Sequence, residues 1–133
     1  MYLSYLQPEL KESFLDLSLI VSNADYEFNA SEKNLIEQLC EEMCIKPRFS
    51  SEKSLESVLA DIQATATKRE KKIILLELLG IVMVDSNIRL EELDVVKALM
   101  ERFELGQAEL EEATALVKQI YNVYSECAKF INA

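Results

Sequence analysis

The chain has 133 residues, half of them hydrophobic, which suits one domain with a sizeable core. Its net charge of −10, from 24 acidic and 14 basic side chains, is repelled by nucleic-acid phosphates and by anionic membrane surfaces. Two glycines and two prolines are too few for the turns of a β-sandwich, so the expected class is all-α, a six-helix (possibly seven-helix) bundle-like domain over 1–133.

The opening Met1-Tyr2-Leu3-Ser4-Tyr5-Leu6 has no basic region followed by an apolar run, and so does not read as a secretory signal. Pro8 is placed to open helix 1, over 8–23, with Leu10, Phe14, Leu17, Val21 and Ala24 at helical spacing. The polar stretch 23–29 ends it. Helix 2, over 30–44, presents Leu35, Ile36, Leu39, Cys40 and Met43 on one face, and Lys46-Pro47 stops it. Helix 3 begins at an N-cap near Ser50 or Ser51 and carries Leu55, Val58, Leu59 and Ile62.

Thr67 and Glu70 form a capping box for helix 4, which runs to about residue 84 and is apolar almost all round. That pattern predicts a central helix. Its longest apolar stretch, 73–84, is too short to cross a bilayer, so direct membrane insertion is not expected. Helix 5, over 90–104, turns Leu93, Val96, Leu99, Met100 and Phe103 inward and ends at Gly106. Helix 6, over 107–131, carries the stripe Leu110, Ala113, Val117, Ile120, Tyr124, Cys127, Ile131.

Displacing the chain by sixty residues lays 14–45 over 74–105 without a gap. Leu15 meets Leu75, Leu19 meets Leu79, Glu32 meets Glu92, and Leu39-Cys40 meets Leu99-Met100. The expectation is two helical repeats, about 8–62 and 68–131, related by a pseudo-two-fold axis with helices 1 and 4 at the centre. Gly80 is placed for a close crossing there.

The repeat centres on a small or apolar residue, Asp, two residues, an apolar residue, three residues and Glu. The two copies are Ala24-Asp25-Tyr26-Glu27-Phe28-Asn29-Ala30-Ser31-Glu32 and Val84-Asp85-Ser86-Asn87-Ile88-Arg89-Leu90-Glu91-Glu92. The aspartate can accept backbone N–H bonds in the turn, and Phe28 or Ile88 can plug the core. Asn29 can cap helix 2, whereas Arg89 is a poor cap for helix 5. This loop resembles that of the TerB-like family, the helical domains named for tellurite resistance. Tyr26 and Ser86 stand where that family usually has glycine. The resemblance covers about 14–105. It implies an all-α fold with internal pseudo-symmetry and a link to metal-oxyanion and stress responses, and it implies no enzymatic activity.

The acidic loops are candidates for a weak divalent cation through Asp25, Glu27 and Glu32 in one copy and Asp85, Glu91 and Glu92 in the other. An EF-hand is excluded, because Ala30 and Ile36 occupy the positions that need glycine and a bidentate glutamate. Capping and solvation are the competing roles for these acids. No other cofactor is expected.

Glu77, inside apolar helix 4, is a candidate buried acid; its ordinary alternative is to point out through an exposed edge. Lys68, Arg69, Lys71 and Lys72 cluster where the helix dipole disfavours cations, which suits an acidic partner or phosphate; the ordinary alternative is a solvated hinge. Tyr121, Val123 and Phe130 lie off the main stripe of helix 6 and could form a partner or homodimer face, unless Tyr2, Tyr5 and Leu6 cover it.

With no histidine and no nucleophile elbow, phosphate loop or dinucleotide fingerprint, the sequence carries no catalytic signature. An odd count of three cysteines fits a reduced, cytosolic compartment, with the thiols as small core residues. The functional expectation is a non-enzymatic cytosolic interaction module of TerB-like type with a protein partner. The alternatives are a divalent-cation binder and, behind it, an enzyme using Glu77 with Asp85.

Overall fold

The computed structural model describes residues 1–22, 30–84 and 89–133. Those residues form a short 3-10 helix, η1 (Leu3–Tyr5), and six α-helices, with no strand among them. The helices are α1 (Pro8–Ser22), α2 (Ala30–Met43), α3 (Leu55–Thr65), α4 (Lys68–Val82), α5 (Leu90–Arg102) and α6 (Gln107–Asn132). The all-α reading holds. The centres of both acidic loops, with Asp25, Glu27, Phe28, Asn29, Asp85 and Ile88, lie outside the described residues.

Helices α1 and α4 touch each other at the middle. α1 also packs on α2, α3 and α5, and α4 on α5, α6 and η1. Phe14, Leu15, Leu17, Leu19, Ile74 and Leu75 are fully or almost fully buried between them. α1 is enclosed on nearly every side, so Ser13, Asp16, Ser18 and Ser22 are buried along with its apolar stripe. The Ser18 hydroxyl is satisfied by donating to the Phe14 carbonyl at 2.8 Å.

The halves share their bounds at the sixty-residue displacement. α1 and α4 start at 8 and 68 and end at 22 and 82, and α2 and α5 start at 30 and 90. Both α2 and α5 close with a Schellman turn. Ile45 N–H reaches the Cys40 carbonyl and Leu105 N–H the Met100 carbonyl, each at 3.0 Å.

Four details depart from the sequence reading. α3 starts at Leu55 with Ser54 as its N-cap, because Ser51 gives its hydroxyl to Asp16 at 2.7 Å. α5 ends through a left-handed Glu104, and Gly106 instead precedes α6 in extended backbone. Gly80 is not sterically required: an added Cβ would meet only the Tyr121 hydroxyl, at 3.8 Å. Of the cysteines, Cys40 is buried but Cys44 and Cys127 are exposed.

Candidate interaction surface

The helix 6 stripe is only half used. Ala113 and Val117 are buried against the core, and Leu110, Ile120 and Tyr121 are partly buried. From Asn122 to the end of the helix every residue is exposed. Tyr124, Cys127 and Ile131, read from sequence as inward, face solvent, at 61% and 75% exposure for Tyr124 and Ile131. The reason is length. At 1.5 Å per residue, α6 is about 39 Å long and α4, its support, only about 22 Å.

Off the stripe, Val123 and Phe130 are exposed, Phe130 to 84%. Tyr2 and Tyr5 do not cover them: these two rings pair with each other, with centroids 6.2 Å apart, and remain exposed. Leu6 is buried in the core. Tyr121 points the other way from Val123 and Phe130. It is half buried, and its hydroxyl donates to the Gly80 carbonyl. Burial first, then the charge of Glu77, raises the Tyr121 phenol above its ordinary pKa.

At the root of this exposed segment lies a cleft of about 310 Å³ between α2, α4 and α6. Leu35, Leu39, Ile81, Val84, Ile120 and Tyr124 give it an apolar lining, and Glu77 and Met1 line it as well. Glu77 is buried, at 8% exposure, and does not point outward through an edge of α4. Its carboxylate accepts the Tyr2 N–H at 2.7 Å and pairs with the Met1 ammonium at 2.9 Å. The same ammonium reaches Glu42 at 2.7 Å. Burial would lower the ammonium's pKa, but the bonds and charges of Glu42 and Glu77 outweigh it and raise it. Glu77 therefore has a structural partner, and Asp85, its proposed companion in acid–base chemistry, lies outside the described residues.

Of the four basic residues at the start of α4, Lys68, Arg69 and Lys72 line one groove and Lys71 does not. Arg69 sits over the Tyr5 ring, 5.4 Å from its centroid, and Lys71 over Phe103 at 5.9 Å. Lys68 and Lys72 are exposed and, with Tyr2, Arg69, Ile73 and Leu76, line an open groove of about 560 Å³. Glu109 lies near this pair. Backbone N–H donors at its own position and at Gly106 lower its carboxyl pKa, and Lys72 and Lys68 add to the effect.

Glu70 joins the two halves. Thr67 and Glu70 form the expected capping box, and Glu70 also accepts from the Gln7 backbone at 3.2 Å and the Gln7 side chain at 2.9 Å. One carboxylate thus serves the N-termini of both α1 and α4. Burial would raise its pKa, but bonds from Thr67 and Gln7 overcome this and lower it.

Of the proposed cation ligands in view, Glu91 is exposed on α5 and Glu92 is buried. Glu92 accepts the Arg89 N–H at 3.3 Å and pairs with its guanidinium at 3.3 Å. A small cleft of about 60 Å³ brings Glu32, Arg89 and Glu92 together, so equivalent glutamates of the two halves share a site with a cation from the chain itself. Among the described residues no group of three or more His, Cys, Asp or Glu is placed to hold a metal.

The sequence reading missed one polar site. Asp16, buried on α1, accepts from the Arg48 guanidinium and the Ser51 hydroxyl, each at 2.7 Å. Arg48 also reaches Glu12, and burial, which would lower its pKa, is outweighed by these acids, Asp16 first. The signal was an aspartate flanked by apolar residues in helix 1, followed in the chain by an arginine just after Pro47.

Among the described residues no helix is long and apolar enough to cross a membrane. Compared with family models, curated proteins and solved structures, the chain matches none.

Proposed function

We propose that this chain is a protein-interaction module of TerB-like type that acts by binding rather than catalysis, in the cytosol and in a stress or metal-oxyanion-resistance setting. The carrying observation is the apolar face of α6 beyond Asn122. A folded domain spends free energy to keep Val123, Tyr124, Phe130 and Ile131 in water. A contiguous apolar face of this kind is the usual mark of a surface that a partner covers. The TerB-like assignment is supported by the loop pattern and by helix bounds that coincide at the sixty-residue displacement.

The test is capture of the affinity-tagged chain from its native cells after cross-linking, with and without Val123→Asp and Phe130→Asp. The double variant is expected to lose its partners while keeping its helical circular dichroism. Identical partners from both proteins would remove α6 as the surface. The resistance setting is tested separately: deleting the gene should sensitise the cells to tellurite, and unchanged sensitivity would dismiss that setting.

A further inference from the structure

Each molecule carries both a protruding apolar knob and an apolar cleft on one face of the same helix. Ile131 lies eleven residues beyond Ile120, three helical turns on and within about 20° of the same direction. Ile120 and Tyr124 wall the cleft between α2 and α4, and Phe130 and Ile131, 84% and 75% exposed, form the knob about 16 Å away. A knob and a matching hole at a fixed offset on one straight helix are what an isologous pair requires, because a two-fold axis places each knob at the other copy's hole.

We propose that two copies of this chain associate through antiparallel α6 helices, each seating its Phe130 and Ile131 in the other's cleft. The two-fold falls between Ser125 and Glu126. Ile120 then faces the second copy's Ile131, and Tyr124 faces its Cys127, so a large ring meets a small side chain. In the same register Val123 opposes Ala128, again large against small, and the seam that packs α6 on α4 continues without a break into the contact between copies.

Charge selects the same arrangement. Copies with a net charge of −10 repel each other, yet from Lys118 onward α6 carries two lysines and one glutamate. Helix α2, which lines the cleft with Leu35, Gln38 and Leu39, carries Glu32, Glu37, Glu41 and Glu42 against a single lysine, Lys33. Seating the knob brings Lys129 towards that acidic helix. Contact through this surface sets a lysine of one copy against an acidic helix of the other and offsets part of the repulsion.

This inference names the partner for the interaction module proposed above, and the two fail separately. Sedimentation equilibrium of the full chain, from about 5 to 500 μM, should show a monomer–dimer equilibrium. Phe130→Asp with Ile131→Asp should weaken it about 100-fold or more, with helical circular dichroism unchanged because both side chains are exposed. Val84→Arg should do the same from the cleft side, and Gln38→Arg serves if that variant misfolds.

Mixing the knob variant with the cleft variant restores one intact knob-in-cleft contact, so the mixture should associate more tightly than either alone. A monomer throughout, a dimer indifferent to Phe130 and Ile131, or no gain on mixing overturns the proposal. A monomer whose captured partners are still lost on altering α6 overturns only the self-association and leaves the interaction module standing.

Discussion

Cys44 and Glu104 occupy the same backbone position sixty residues apart, with φ of 56° and 55°, and are the non-glycine residues with positive φ among the described residues. Cys44 follows Met43 at the end of α2 and Glu104 follows Phe103, the C-cap of α5, and each N–H bonds three residues back, to Glu41 and to Glu101. A left-handed conformation costs an L-residue about 1 kcal/mol or more, and glycine pays little of it. Cys44→Gly and Glu104→Gly should therefore each stabilise the chain, by about 0.5–1 kcal/mol in chemical denaturation. A loss of stability from both would contradict the Schellman assignment.

Glu70 gives a pH dependence of definite sign. Its folded pKa lies below the ordinary value of 4.5, so its contribution is present above that value and disappears as pH falls through the folded pKa. Acid titration of unfolding stability should show this loss, and Glu70→Gln should flatten it while lowering stability at neutral pH. A variant with the native acid limb would show that Glu70 does not link α1 to α4.

The Met1 ammonium behaves in the opposite sense. Its folded pKa is raised above 8.0, so the stability it supplies is complete below pH 8 and is lost as pH rises through the folded pKa. Glu77→Gln should shrink that alkaline loss. Stability that is level from pH 7 to 10 in both proteins would separate Met1 from Glu77 in solution.

Asp16 holds the segment between α2 and α3 to the central helix. Asp16→Ala leaves the Arg48 guanidinium and the Ser51 hydroxyl without this acceptor and should cost about 1–3 kcal/mol, toward the lower end because Arg48 still reaches water and Glu12. Double-mutant cycles with Arg48→Ala should give a coupling of about 1 kcal/mol; zero coupling would mean that the pair is incidental.

Helical periodicity located all six helices, and a local signal such as Pro8 or the Thr67–Glu70 box fixed the starts of α1 and α4. One misplaced end depended on a tertiary contact and the other on a local turn without glycine. Ser51 looked like a cap but was drawn away by Asp16, and Gly106 looked like a C-terminal stop although Glu104 makes the turn. The candidate surface was half legible: the apolar face of α6 was visible as a pattern, but a stripe does not say where its supporting helix ends. The burial of Glu77 was not legible either, because its partner is the distant Met1 ammonium.

Amide hydrogen exchange along α6 tests the central claim most directly, comparing the dilute chain with the assembly purified from native cells. If the distal half of α6 is a binding surface, amides before Tyr121 should be protected in both. Those from Asn122 onward should exchange fast in the dilute chain and about 100-fold more slowly in the assembly. Equal protection of that segment in the two samples would mean that nothing docks on it.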